Sequence, residues 1–433
     1  MSAEPGPPAP PIVPETGEPL VLPLPDPEHR RGGWREVLRI PRYRLLLATQ
    51  LFAGTGYAVY SVSVLFLAYG LTGNLLIAGA VLFVEYGVYA GSFLIAPVVD
   101  RVRDKRRILL ACFPVQAVAA GTLAYELHAG TLTIPVLLGI VFVLAVLWDF
   151  DWVVFNIAPR IVLPPRLLFI GDGITSAIAV GTQIGGYAGG GALVYLVGPF
   201  GGASAYAILL LGATAVCLPL SLAVEESPRT RFWETFRRGW EAFRGTAGRT
   251  LRQLAALDIV AGFFASIPTL LIPAIAYQRF SDPAAVYGPL VTAYAVGGSV
   301  AGIVIGHLNP RARVGRILIL TLLSAGAFVL LLAPSWASLA GLALLLAGVG
   351  AALTIRYTSK YTWLQGSYAP EFLGRLSANL YLFTGISSTV AVLLFGYLSL
   401  RLPLGTLTVL DGVGLIASGV FALTLVSVRR MAF

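Results

Sequence analysis

Five ionisable residues lie inside long apolar segments of the chain, where a charged side chain is costly. They are Glu85, Asp149, Asp151, Arg356 and Lys360. In a membrane, residues of this kind face a water-filled cavity or an opposite charge, and they are functional candidates for that reason. Two kinds of chemistry follow from their types: reversible protonation of a carboxyl group, and ion pairs that form and break.

Glu85 lies about ten residues into the second apolar segment. At about 1.5 Å per residue, this places it about 15 Å deep, near the midplane of a bilayer. A carboxyl group there can bind and release a proton, so Glu85 is our candidate for proton coupling. Two alternatives remain open: a protonated Glu85 that is hydrogen-bonded to a neighbouring helix, and a direct contact with a substrate.

The composition places these residues in an integral membrane protein. Of the 433 residues, 57% are apolar and only 12% are charged, and the mean hydropathy is +0.81. This balance excludes a soluble enzyme. The apolar runs are long enough for membrane helices and predict twelve spans, near 43–70, 75–99, 108–127, 133–158, 167–196, 202–224, 253–279, 284–307, 316–334, 337–364, 373–400 and 405–427.

The arginines and lysines predict the orientation of these spans. Of 30 such residues, 26 fall in the terminal segments and in the loops on one side, and basic residues remain on the cytoplasmic side of short loops. We therefore expect both termini in the cytoplasm and the chain in the cell membrane. The domains are then a disordered Pro-rich tail at 1–32, six-helix halves at 33–224 and 253–433, and an amphipathic cytoplasmic linker at 225–252.

Short sequence patterns recur in the two halves at an offset of about 205–209 residues. Gly91-Ser92 and a following Arg-Ile-Leu in the first half match Gly298-Ser299 and a second Arg-Ile-Leu in the other. Internal duplication of this kind is typical of transporters built from repeated halves.

Two motifs at these positions resemble those of the major facilitator superfamily. The loop after span two, with Asp100, Arg101, Arg106 and Arg107, is similar to the family's G-x-x-x-D-R/K-x-G-R/K-R/K loop. Span five is similar to the G-x-x-x-G-P-x-x-G-G motif of the family's exporters. The glycines that match or stand in this motif are Gly181, Gly185, Gly186, Gly189 and Gly190. Shorter matches, such as Leu71-Thr72-Gly73-Asn74, resemble the macrolide-efflux and enterobactin-exporter branch.

Each motif also has a physical interpretation. The charged loop can fix the ends of helices in one conformation through ion pairs, although basic residues there also signal topology. Glycines four apart indicate close helix packing, and span eight, with Gly298, Gly302 and Gly306, is the expected partner.

The resemblance covers essentially all of 43–427 and implies the family's fold and mode of action. The expected fold is all-α, with two pseudo-symmetric six-helix halves around a cavity. The expected function is secondary active transport by alternating access, exporting an amphipathic drug-like or siderophore-like molecule in exchange for protons. A lysophospholipid, an anionic metabolite or a metal ion as cargo, uptake, and sodium coupling remain alternatives.

In the resembled fold, spans four and ten face each other across the cavity. Shifting Asp151 by 205 residues places it on Arg356. We therefore expect Asp149 and Asp151 to pair with Arg356 and Lys360 when the cytoplasmic side is closed, and to separate when it opens. A permanent ion pair, or a substrate site in which Arg356 binds an anionic group, are the alternatives.

Other features limit the functional classes. No segment matches the nucleotide-binding pattern G-x-x-x-x-G-K-[ST], so we do not expect ATP to drive transport directly. The three His and two Cys are scattered, so we expect no enzyme activity, no cofactor and no metal site. The expected partners are the lipid bilayer, a small-molecule substrate and protons, without nucleic acid, and a monomer is expected. Three further acids are expected to cap helix ends: Asp172, Asp258 and Asp411.

Overall fold

A computed structural model describes residues 33–223, 243, 248–308, 313–333, 338–368 and 370–431. The Pro-rich tail predicted at 1–32 lies outside the described residues. Of the predicted linker at 225–252, only Phe243 and residues 248–252 are described.

The described residues form a bundle of twelve long helices, α1 to α12 in chain order. The first six are α1 Pro41–Gly70, α2 Leu75–Ala90, α3 Arg106–Ala129, α4 Ile134–Val162, α5 Leu168–Val197 and α6 Pro199–Cys217. The others are α7, with segments Arg249–Ala265 and Ile267–Arg279, then α8 Pro283–Leu308, α9 Val314–Leu332, α10 Leu339–Ser367, α11 Pro370–Leu398 and α12 Leu404–Thr424.

Eleven of these helices are long and apolar enough to cross a membrane. The other long helix, α5, has 30 residues and carries eight glycines, and it packs against α1 and α8. The prediction of an all-helical membrane protein is thus confirmed. Composition also explains the helices, because apolar side chains on all faces suit a lipid environment and helices satisfy their own backbone hydrogen bonds.

Two spans are shorter or less regular than predicted. The helix α2 ends at Ala90, and a 3₁₀ turn at Ser92–Leu94 and a short helix at Ala96–Arg101 follow. The helix α7 is interrupted at Ser266, just before Pro268. Proline lacks an N–H donor and clashes with the carbonyl four residues earlier, which accounts for the interruption.

The helices divide into an N-terminal half, α1–α6, and a C-terminal half, α7–α12. Within the halves, α1 packs on α5 and α6, and α8 packs on α10 while α9 packs on α12. Between the halves, α2 packs along α11 and α5 packs along α8. The bundle has an arginine-rich end, where odd-numbered helices begin, and an opposite end, where they finish.

The halves are closed against each other at the opposite end. Gly191 of α5 lies so close to Gly288 of α8 that a Cβ atom on Gly191 would be 2.2 Å from the Gly288 Cα. The Gln278 side chain donates a 2.9 Å hydrogen bond to Tyr69 Oη, and the Tyr277 ring lies 4.8 Å from that of Phe66.

The glycines of α5 divide between two faces of the helix. A Cβ on Gly186 would lie 2.5 Å from Ala58 Cβ, and one on Gly190 would lie 3.0 Å from Val59 Cα, so both pack against α1. The sequence also singled out Gly181, Gly185 and Gly189, but a Cβ atom on any of these three would meet open space. The predicted packing role is therefore wrong for them. These three share a stripe about 100° around the helix from the packed pair.

The glycines of α8 also differ from expectation. A Cβ on Gly298 would meet Thr354 Oγ1 at 2.7 Å, so this glycine packs against α10 rather than against the glycine series of α5. The contact between α5 and α8 is instead made through Gly191 and Gly288.

The loop between α2 and α3 is fixed by its central residues. Asp104 accepts hydrogen bonds from the backbone N–H groups of Arg106 and Leu222, and Arg106 donates to the Leu218 carbonyl at 2.9 Å. The loop thereby joins the end of α6. Lys105, 3% exposed, donates to the carbonyl of Val99 at 2.6 Å.

The residues of this loop that the sequence singled out do less in this conformation than expected. Arg106 does bond, but no side-chain hydrogen bond or ion pair to a described residue is made by Asp100, Arg101 or Arg107. Arg101 and Arg107 are exposed, so water competes with any partner.

Candidate functional site

A cavity of about 520 Å³ lies between the two halves. Its walls come from α1, α2, α4 and α5 of the N-terminal half and from α7, α8, α10 and α11 of the C-terminal half. Four of the five ionisable residues that the sequence singled out line it: Glu85, Asp149, Arg356 and Lys360. Residues from sequence positions as distant as 50 and 388 therefore meet in one cavity.

The C-terminal wall carries a cluster of three charged side chains, Asp258, Arg356 and Lys360. Arg356 Nη2 lies 2.7 Å from Asp258 Oδ1, and Lys360 Nζ lies 2.9 Å from Asp258 Oδ2. All three residues are buried, with exposed fractions of 7% or less. One carboxylate thus holds two cations, and the cluster has one positive charge in excess.

Tyrosine rings surround the cationic side of this cluster. The Lys360 ammonium lies 4.6 Å from the centre of the Tyr361 ring and 5.7 Å from that of Tyr357, within the range of a cation–π interaction. The hydroxyl groups of Tyr357 and Tyr381 are 2.9 Å apart. The rings of Tyr381 and Tyr89 lie 5.5 Å apart, which links this wall to α2 of the other half.

The N-terminal wall carries two carboxyl groups, Glu85 on α2 and Asp149 on α4. The Asp149 side chain is 4% exposed, and its Oδ2 atom has no hydrogen-bond partner. Among the described parts of the chain, no ion pair or hydrogen bond is made by the Glu85 carboxyl group. Beside them, the rings of Tyr57 and Trp148 stack at 3.9 Å with an angle of 4° between their planes.

The predicted pairing of Asp149 and Asp151 with Arg356 and Lys360 is not present in this conformation, where the two cations bind Asp258. For Asp149, which lines the cavity opposite them, pairing in a closed state stays a prediction.

For Asp151 the predicted role in a gate is wrong. It is fully buried and accepts a 2.5 Å hydrogen bond from Gln116 on α3, to which Tyr206 on α6 donates at 2.7 Å. Residues two apart on a helix point about 200° away from each other, so Asp151 faces the interior of its own half when Asp149 faces the cavity.

Asp258 was expected to cap a helix, and this expectation is wrong. It is the tenth residue of the first segment of α7, whose N-cap is Gly248. The same holds for Asp172 and Asp411, since the N-caps of α5 and α12 are Leu167 and Pro403. A carboxyl group three turns inside an apolar helix is itself the signal that identifies Asp258 as an ion-pair partner.

The arrangement suits the binding of a small molecule. Within the described residues, no group of three His, Cys, Asp or Glu side chains could hold a metal ion. The cavity instead offers unpaired carboxyl groups on one wall, a cationic cluster on the other, and aromatic faces on both. Its volume is in the range of cavities that hold drug-sized ligands, about 300–1,000 Å³.

Solved structures of transporters share this fold. The nucleoside transporter NupG matches with a TM-score of 0.72 and 12% identity, over 88% of this chain and 99% of that chain. The POT family transporter PepTSo matches with a TM-score of 0.72 and 10% identity, over 90% of this chain and 98% of that one. A POT family transporter in complex with 5-aminolevulinic acid matches with a TM-score of 0.67 and 11% identity, over 88% of this chain and 95% of that chain.

These likenesses span nearly the whole bundle and show that the chain shares the all-helical fold of these transporters. No family model matches the chain, and no curated protein matches it.

Proposed function

We propose that the chain is a secondary active transporter that exports an amphipathic small molecule in exchange for protons. The cavity between the halves is the substrate site, and the halves rock against each other so that it opens to each side of the membrane in turn. As the Arg and Lys distribution predicts, the arginine-rich end faces the cytoplasm.

The observation that carries this proposal is the position of Glu85. It projects from a membrane helix into the cavity and has no ion-pair partner among the described residues. Unpartnered acids at membrane depth are characteristic of proton-coupled transport. Since Glu85 lies on α2, which packs along α11 of the other half, a change in its charge acts where the halves move against each other.

Lumenal pH in proteoliposomes tests the proposal. The purified protein is reconstituted with a pH-sensitive dye inside, a pH gradient is imposed, and lipophilic cations such as ethidium are added. We expect a transported cation to accelerate dissipation of the gradient by the wild type. In Glu85→Gln, which cannot lose a proton, this acceleration should be absent while binding of the cation remains.

Glu126→Gln is the matched control. Glu126 lies at the opposite end of α3, outside the cavity, and accepts a hydrogen bond from Thr131. This variant should behave as the wild type does. Proton movement that no compound accelerates, or a Glu85→Gln variant that moves protons as the wild type does, would contradict proton coupling through Glu85.

A further inference from the structure

Opposite charges are separated across the cavity. On the C-terminal wall, Asp258 neutralises only one of the two cations beside it. On the N-terminal wall, Asp149 is buried and its Oδ2 atom has no partner. In the state with Glu85 protonated and Asp149 ionised, Asp149 and Asp258 balance Arg356 and Lys360, so the cavity as a whole is neutral although each wall is charged.

Burial makes both charges strong recognition elements. A buried charge without a partner is costly, and a hydrogen bond to it in such a site is stronger than one in water. Arg356 still has an Nε donor without a partner, so the cationic cluster has capacity for a further acceptor. On the opposite, N-terminal wall, Asp149 Oδ2 can accept a hydrogen bond from a donor group of a ligand.

From this geometry we infer that the substrate is a zwitterion. Its anionic group binds Arg356 and Lys360, its cationic group binds Asp149, and an apolar or aromatic body lies against the stacked rings of Tyr57 and Trp148. A zwitterion satisfies both walls and adds no net charge to a neutral cavity. This inference rests on the proposed function, because it assigns the substrate class of the same cavity.

Asp258 acts here as a positioning residue. It holds the two cations side by side at 2.7 and 2.9 Å, which orders them for an incoming anionic group. It also competes with that group for the same donors. Neutralising Asp258 should therefore strengthen the binding of an anion, which is a result that a purely structural ion pair would not give.

Three fluorescent probes that differ only in charge test the inference. Nα-dansyl-lysine carries a carboxylate and an ammonium group separated by its butyl chain. Dansylcadaverine is the same molecule without the carboxylate, and dansylnorleucine is the same molecule without the ammonium group. Their binding to the purified full chain in detergent is measured by dansyl fluorescence, in a Glu85→Gln background that keeps this side chain neutral and at an alkaline pH at which Asp149 is ionised.

We expect the zwitterion to bind about tenfold more tightly than either analogue, as for the loss of one charged hydrogen bond. Lys360→Met should remove its advantage over dansylcadaverine, and Asp149→Asn should remove its advantage over dansylnorleucine. Asp258→Asn should tighten the binding of dansylnorleucine. Asp151→Asn is the matched control for Asp149→Asn, since it makes the same carboxyl-to-amide change on α4 outside the cavity, and should leave the preference unchanged.

The inference is overturned if the zwitterion does not bind, if either analogue binds as tightly, or if Lys360→Met and Asp149→Asn leave the preference unchanged. If Asp258→Asn does not fold, Lys360→Met alone decides the role of the cationic cluster. Counterflow in proteoliposomes separates this result from the proposed function. Selective binding without transport would overturn only the transport proposal, whereas transport of all three probes at equal rates would overturn only the zwitterion.

Discussion

Arg356 on α10 donates a 2.7 Å hydrogen bond to Asp258 on α7, and both side chains are buried. The pair lies within one half of the bundle, so it does not have to break when the halves separate. Its charges are therefore available to the cavity in each conformation in which α7 and α10 stay together. The charge of the C-terminal wall therefore stays constant. The N-terminal wall, with Glu85 and Asp149, is the part whose charge changes.

Removing Asp258 should destabilise the protein more than removing either of its partners. Asp258→Asn leaves two buried cations next to each other, whereas Lys360→Met leaves a neutral Arg356–Asp258 pair. Breaking a buried ion pair by removing one partner costs about 3–5 kcal/mol. Thermal unfolding in detergent should show a large decrease in melting temperature for Asp258→Asn and a much smaller decrease for Lys360→Met.

The double variant Asp258→Asn with Lys360→Met provides the control, because it restores a single buried cation. It should recover part of the stability lost in Asp258→Asn alone, so the two changes are not additive. Additive losses would show that the three side chains do not act as one cluster.

The packing of α5 on α1 should depend on Gly186 and not on its neighbour Gly185. In Gly186→Ala the new methyl group would lie 2.5 Å from Ala58 Cβ and 3.0 Å from the Thr55 carbonyl. Overpacking of this kind costs about 1–3 kcal/mol. Gly185→Ala meets open space and should leave stability unchanged or raise it by up to about 1 kcal/mol. Chemical unfolding of both variants measures the difference, and equal effects would show that α5 is not packed this way.

The sequence predicts most of the fold because membrane insertion depends on local composition. Apolar runs identify the helices, and the arginines identify which loops share a side. The partners of buried charges are different, since Asp258 and Arg356 are 98 positions apart and no local pattern states that α7 and α10 are neighbours. Helical periodicity alone, however, is enough to show that Asp149 and Asp151 cannot both face one cavity.

The glycine motif shows the same distinction. Spacing by four predicts that α5 has a face for close packing, but two such stripes overlap in the sequence. Which stripe is used depends on where α1 lies, and the structure selects Gly186 and Gly190.

Closure of the opposite end should depend on the contact between Gly191 and Gly288. In Gly191→Ala the added Cβ would lie 2.2 Å from the Gly288 Cα, so the two helices must separate there. We expect the conformational equilibrium to shift toward opening at this end. Hydrogen–deuterium exchange should then rise near Tyr69 and Tyr277, whose side chains close the halves there.

Gly189→Ala is the control for this variant, since it adds the same methyl group to α5 in open space. It should leave exchange unchanged. An exchange profile of Gly191→Ala that equals that of Gly189→Ala would contradict a role of this contact in closure.

Lys105 should stabilise the loop between α2 and α3, and this contribution should depend on pH. Its ammonium group donates to the carbonyls of Val99 at 2.6 Å and Asp100 at 3.0 Å. Lys105→Met leaves these carbonyls without their donor and should cost about 1–3 kcal/mol. Arg107→Met removes an exposed charge from the next turn and should change stability by about 0.5 kcal/mol or less.

Burial lowers the pKa of Lys105, and the nearby Asp100 carboxylate partly opposes this effect. Between the lowered pKa of the folded state and about 10.4 in the unfolded state, the unfolded chain binds more protons. The contribution of Lys105 to the free energy of unfolding therefore rises with pH across this window. Melting temperatures measured from pH 8 to 10 should show this contribution in the wild type and in Arg107→Met but not in Lys105→Met. If all three proteins change with pH in parallel, the Lys105 ammonium is not desolvated in the folded loop.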